Sequence, residues 1–138
     1  MAERIRKVCL DTDIIIDYLK NTKETQDLTE RLYLKFDEII TTAITAYELL
    51  AGVEYMQGKD RARVEDIING IDVLPFSKES SRESAKISAE LRRSGKQIGM
   101  ADMLIAGICI LSNSCLLTKN VEHFRRIKNL EVLDLDQL

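Results

Sequence analysis

Four side chains of this 138-residue chain combine a type and a setting that suit chemistry: Asp11, Glu48, Asp102 and Asn120. Asp11 ends the apolar run Val8-Cys9-Leu10, and Asn120 lies just beyond Cys115-Leu116-Leu117-Thr118. Asp102 is the sole charge between Ile98 and Ala106, and a lone carboxylate among apolar neighbours is costly unless it is paired or bound to a metal. A plainer role for Asp102 is a first-turn carboxylate favoured by the helix dipole; the two roles are compatible. Glu48 has a structural alternative too, because Thr45-Ala46-Tyr47-Glu48 has the form of a capping box. Against it, the following Leu49-Leu50-Ala51-Gly52 implies a face buried against a sheet. Asp13 reads as a helix cap and Asp17 as a solvated face residue. The four offer only oxygen ligands, which suits a hard divalent ion that retains several waters, magnesium or manganese, rather than zinc. His123 is the single histidine. With no evident nucleophile, such a cluster has one common chemical use, metal-assisted attack of water on a phosphodiester.

The elements that must position these groups follow from apolar spacing. Val8 to Leu10 reads as a strand leading into a short helix through Ile14-Ile15-Ile16 and Tyr18-Leu19. Leu28, Leu32, Tyr33 and Phe36 mark a helix over 24–36, Glu38 to Thr42 a second strand, and Ile44 to Met56 a helix. Lys59 to Asn69 is another helix, closed by Gly70; Asp72 to Phe76 is a strand ended by the only proline, Pro75. Ser77 to Ser94 is a long polar helix stopped by Gly95. Gly99 to Leu111 is a helix apolar nearly all round, hence central; Cys115 to Thr118 is a strand, Val121 to Ile127 a short helical turn, and Val132 to Leu135 a last strand. Strands separated by helices imply right-handed crossovers, so the fold class is α/β, a three-layer sandwich with a mainly parallel central sheet. In such sheets ligands gather at the carboxyl ends of the strands, which is where Asp11 and Asn120 fall.

Length and composition bound the rest. The size suits a single domain spanning 1–138, with 45% apolar residues for its core. A net charge of −3 argues against holding nucleic acid by bulk charge, so any such contact needs a local basic patch. The longest charge-free apolar stretch, Met103 to Leu111, falls well short of the ~20 residues that span a bilayer. Asp11, Asp13 and Asp17 interrupt the first apolar run, which excludes a secretory signal. A cytoplasmic location is expected, with no membrane contact. Cys9, Cys109 and Cys115 are an odd number without a Cys-x-x-Cys pair, so free buried thiols are expected.

Four segments in order carry a resemblance: Leu10-Asp11-Thr12-Asp13-Ile14-Ile15-Ile16-Asp17-Tyr18-Leu19, Thr45-Ala46-Tyr47-Glu48-Leu49-Leu50-Ala51-Gly52, Asp102-Met103-Leu104-Ile105-Ala106, and Leu117-Thr118-Lys119-Asn120-Val121-Glu122-His123-Phe124. Together they resemble a PIN domain, most closely the VapC-type ribonuclease toxins of toxin–antitoxin modules. The resemblance implies a magnesium-dependent endoribonuclease with Asp11, Glu48 and Asp102 as acidic metal ligands and Asn120 as a neutral group at the fourth position. It also implies an RNA substrate, a cognate antitoxin and a homodimer. An arginine of the antitoxin would enter the acidic crevice, and an amphipathic helix would lie on apolar surface left by residues 13–69, near Tyr18, Leu19 and Tyr33. Asp13 stands where the family frequently has asparagine, and His123 where an acid is common; no catalytic role is assigned to His123. Thr118 is read equally as a strand residue or a hydrogen-bond donor at the site. Basic clusters at Arg92, Arg93 and Lys96, and at Lys119, Arg125, Arg126 and Lys128, read equally as solvated faces or as phosphate contacts.

Three rival readings compete. A haloacid-dehalogenase-like phosphatase shares Asp11-x-Asp13 and a late strand threonine, but its usual second acidic motif and length are missing. A receiver domain needs an aspartate ending the third strand, where Leu74-Pro75-Phe76 stands. A non-catalytic PIN-like module binding RNA or protein is disfavoured by the three retained carboxylates.

Overall fold

Consecutive residues of the first strand turn to opposite faces of a sheet, and each face acquires its own helices. The computed structural model describes residues 6–20, 23–56 and 58–138. In chain order they form β1 (Lys7–Leu10), α1 (Thr12–Leu19), α2 (Lys23–Lys35), β2 (Glu38–Thr42), α3 (Ala43–Val53), α4 (Gly58–Gly70), β3 (Asp72–Leu74), α5 (Lys78–Ser94), α6 (Met100–Ser112), β4 (Cys115–Leu117), α7 (Val121–Phe124) and β5 (Val132–Leu133), followed by a 3-10 turn, Leu135–Gln137. The sheet order is β3-β2-β1-β4-β5, and every pairing is parallel.

Register and burial agree. Cys9 pairs with Ile40 and Leu116, and these three pack with Ile87 and Leu91 of α5 and with Ile105, Ala106 and Cys109 of α6. One residue earlier, Val8 pairs with Ile39 and Cys115 and faces Ile14 of α1 and Leu28, Leu32 and Phe36 of the α2 side. A third cluster joins Ile15 to Leu49 and Val53 of α3 and Val64 of α4. The period of two along β1 thus divides the protein into helical layers above and below one sheet, the three-layer arrangement anticipated from the sequence. All three cysteines are free and buried.

Several boundaries differ from those read off the spacing. The α3 helix stops at Val53 rather than Met56, β3 stops at Leu74 before Pro75, and β5 is two residues long. The α6 helix is central only in its middle: Ile105 to Cys109 are buried, while Met100 is 71% and Leu111 46% exposed. Its packing against α5 requires Gly107, where a Cβ atom would lie 2.0 Å from Ser84 Oγ and 2.8 Å from the Ser80 carbonyl. Ser84 Oγ itself donates to the Met103 carbonyl at 2.9 Å. The α5 helix ends at Gly95, as its spacing suggests, with φ of 71° and Lys96 N–H bonding the Leu91 carbonyl. Among the described residues no helix is long and apolar enough to cross a membrane.

Candidate active site

The chain runs from β1 to β2 and β3 on one side, then returns to place β4 on the other side of β1. Such a reversal opens a crevice at the carboxyl ends of the two strands. Asp11 occupies it. Directly after Leu10, its extended backbone makes it the N-cap of α1, and Oδ1 accepts from Thr12 N–H at 2.8 Å. Its Oδ2 accepts from Thr118 Oγ1 at 2.7 Å. Asp11 is 6% exposed. Burial holds its carboxyl above the ordinary carboxylate range, Thr118 and the Thr12 amide pull it back, and the charge of Glu48 adds to the rise.

Glu48 reaches the same crevice from α3, although the cap is not the one anticipated. The N-cap of α3 is Thr42, whose side chain accepts from Thr45 N–H, so Thr45 and Glu48 do not form a capping box. The helix starts two residues before Thr45 because β2 runs straight into it. Glu48 Oε1 instead accepts from Thr12 Oγ1 at 2.8 Å, and Thr12 Oγ1 lies 3.0 Å from Thr45 Oγ1. Asp102 enters from the first turn of α6. Burial first, then Asp11, raises its carboxyl; His123 opposes the rise and Glu48 adds to it. Asp102 thus holds the helix-dipole position, and the charges of Asp11 and Glu48 act on it there.

Asp13 corrects the sequence reading. Asp11 caps α1, so Asp13 falls in the first turn, where it accepts from Lys119 N–H at 3.1 Å and lies 3.5 Å from Thr118 Oγ1. Burial and then the neighbouring Asp11 charge push it up to about 6 from 3.8. The signal for this was in the chain: no residue separates the end of the strand at Leu10 from Asp11, which leaves Asp11 to cap the helix. Asp17 is also corrected, from a solvated residue to one paired with Lys119 Nζ at 2.7 Å and Lys20 at 3.4 Å. Lys119 holds its carboxyl below the ordinary range. The side chain of Asn120 turns to His123, with Nδ2 2.8 Å from Nδ1, while its backbone N–H donates to Thr118 Oγ1 at 3.0 Å. Thr118 is the hub joining Asp11, Asp13 and Asn120. Thr12, which orients Glu48, went unnoticed in the sequence because an isolated threonine carries no spacing signal.

Carboxyls from β1, α1, α3 and α6 therefore share one crevice, and three of them are raised because burial and like charges act together. A concentration of opposed carboxylates in a strand-end crevice is a mark of a functional site. The chain is matched over residues 8–130 by the model of the PIN domain family. The chain belongs to the PIN domain family. Among PIN proteins it is 32% identical over 130 residues to the tRNA(fMet)-specific endonuclease VapC of Shigella flexneri, covering 93% of this chain and 97% of that protein. The same fold occurs in the crystal structure of VapBC2 from Rickettsia felis bound to a promoter DNA fragment, with a TM-score of 0.85, 26% identity and coverage of 94% and 99%. It occurs again in DNA-bound VapBC from Salmonella typhimurium, with a TM-score of 0.84, 29% identity and coverage of 94% and 98%. This PIN domain thus falls among the VapC ribonucleases, and the phosphatase and receiver readings are set aside.

The donor set fits a divalent cation in chemistry. Asp11, Asp13, Asp102 and Glu48 present only oxygens, and the mutual opposition of the buried ones is what a cation relieves. The groups do not close into a ready-made three-ligand cluster among the described residues.

Proposed function

We propose that this PIN domain is a magnesium- or manganese-dependent endoribonuclease, the toxin of a VapBC-type module, working in the cytoplasm as one domain. The observation that supports it most is the buried Asp11 carboxylate, held by two hydrogen bonds at the strand-end crevice and opposed there by other acids. In this reading Asp11, Glu48 and Asp102 hold the cation, with Asn120 beside them. A bound divalent ion supplies charge neutralisation at the phosphodiester and acidifies the attacking water. The protein's own part is orientation. Thr118 and the Thr12 amide lock Asp11, and Thr12 Oγ1 locks Glu48. The N-terminus of α6 favours a charged Asp102. Asp13 supplies a fourth carboxylate, so the negative charge of the crevice exceeds that of the three acids read from the sequence.

RNA is the substrate in this reading. A cognate antitoxin restrains the enzyme, in line with the VapBC assemblies of the structural relatives. A groove of 370 Å³ lined by Leu10, Ile14, Tyr18, Leu32, Tyr33 and Ile67, among others, suits the apolar face of the antitoxin's helix. Tyr18 and Tyr33 are 41% and 72% exposed there, whereas Leu19 packs partly against the α3–α4 cluster. A homodimer is part of the same proposal.

The test is cleavage of purified RNA by the purified protein with magnesium or manganese. Activity should stop with EDTA and fall by two or more orders of magnitude in Asp11→Asn and Asp102→Asn, both folded. Undiminished cleavage in chelator refutes the metal-dependent mechanism. Normal turnover in Asp102→Asn returns that residue to a first-turn charge favoured by the helix dipole alone.

A further inference from the structure

The sequence holds two basic clusters some thirty residues apart, and the fold sorts them. Lys119 is held by Asp17 at 2.7 Å, and Arg125 turns to Asp134 at 3.9 Å and to Gln137 at 3.4 Å. Arg126 behaves differently: its Nη1 donates to the Gln97 carbonyl at 3.2 Å. Gln97 lies in the loop between α5 and α6, immediately after Lys96. That bond places Arg126 against the loop that follows Arg92 and Arg93 in the last turn of α5 and Lys96 beyond it. All four cations are exposed. The side chains of Arg92, Arg93 and Lys96 have no ion-pair or hydrogen-bond partner among the described residues, and Arg126 touches only a neutral carbonyl.

Four exposed cations with no ion-pair partner among the described residues form a local positive surface on a chain whose net charge is −3. The C-terminal dipole of α5 accounts for Arg92 and Arg93, but Lys96 lies past the helix end and Arg126 belongs to another segment. The patch also has a definite place. The same loop leads within a few residues to the first turn of α6, where Asp102 faces the acidic crevice. His123 lies on α7 just ahead of Arg126. Resting on the ribonuclease reading above, we propose that Arg92, Arg93, Lys96 and Arg126 form the track that holds the backbone of the RNA strand leading into the crevice. Attraction between these cations and the flanking phosphates offsets the repulsion that the crevice carboxylates exert on the scissile phosphodiester. The contacts are made to phosphate alone, so they set the register of the strand and not its sequence.

Counter-ion release makes this measurable. For a single strand, log K falls with log[salt] by ≈0.7 per phosphate neutralised. Binding of a fluorescein-labelled, unstructured oligoribonucleotide of mixed sequence is followed by anisotropy in chelator, so that the strand is not cut, across a salt series. Replacing Arg92, Arg93, Lys96 and Arg126 together by Gln should lower the slope by about 2 to 3. The pairs Arg92→Gln/Arg93→Gln and Lys96→Gln/Arg126→Gln should each give about half of that, which guards against a misfolded quadruple variant. Arg92→Lys with Arg93→Lys should keep the slope. Neutralising Lys35, Lys59 and Lys86, exposed elsewhere, should leave it unchanged. A wild-type slope in the quadruple variant overturns the track while leaving the ribonuclease reading intact, as does an equal drop in the Lys35/Lys59/Lys86 control. An unchanged slope with loss of a co-purifying antitoxin assigns the patch to a protein partner and likewise overturns it. A wild-type protein that binds the oligonucleotide at no salt concentration overturns the track, while cleavage with magnesium decides the ribonuclease reading separately.

Discussion

Replacing Asp13 by Asn should make the metal-free protein more stable, and the gain should depend on pH in a defined direction. Burial and the Asp11 charge raise the folded-state pKa of Asp13 from 3.8 to about 6. Between about pH 4 and pH 6 the folded state therefore binds more protons at this position than the unfolded chain does, and stability falls as the pH rises through that window. Above it the full penalty is present. At ~1.36 kcal/mol per tenfold change in proton affinity the displacement corresponds to about 3 kcal/mol. Asp13 is only half-buried, and solvent screening reduces that figure to about 1 to 1.5 kcal/mol. An asparagine at 13 keeps an oxygen for the Lys119 amide at 3.1 Å but carries no charge. In EDTA at pH 8 the variant should melt about 3 to 6 °C above wild type. The difference should shrink as the pH falls through 6, be small near pH 4, and vanish below about pH 3, where the wild-type carboxyl is protonated in both states. Urea unfolding across this range checks the magnitude. No gain at pH 8, or the same gain at pH 4, would show that opposed charges in the crevice do not govern the stability of the metal-free protein.

Magnesium should raise the melting temperature of wild type more than that of Asp102→Asn, because a ligand stabilises only the state that binds it; calorimetry showing equal shifts would place the ion elsewhere. Thr118→Val removes the 2.7 Å bond to Asp11 and the partner of the Asn120 amide. It should cost about 1 to 3 kcal/mol in denaturant unfolding, as expected for buried groups left unpaired, and should lower nuclease turnover. Gly107→Ala forces a Cβ against Ser84 Oγ and the Ser80 carbonyl. It should destabilise the protein by about 1 to 3 kcal/mol through overpacking, with the double variant Gly107→Ala/Ser84→Gly recovering part of the loss.

The fold class was readable because two periodicities coexist in this chain. Val8-Cys9-Leu10 and Cys115-Leu116-Leu117 are apolar on both sides, as strands between two helical layers must be, while the helices carry apolar stripes separated by charges. Asp11 stood out because it closes an apolar strand, and Asp102 because it is the one charge inside an apolar run that opens a helix. What local sequence could not decide is which side chain meets which. Whether Thr42 or Thr45 caps α3 depends on how far β2 runs before the helix starts, and that is set by pairing with β1 and β3. That Asp11 rather than Asp13 caps α1 follows from where the strand ends, but the partners of Asp13 do not. Its neighbours Thr118 and Lys119 lie more than a hundred residues away along the chain. The pairing of Arg126 with the Gln97 loop is equally non-local. Hydrophobic period is a property of neighbours along the chain and survives in one dimension. The opposition of carboxylates and the sorting of cations depend on distances across a parallel sheet, and only the crossover connections of the folded chain determine those.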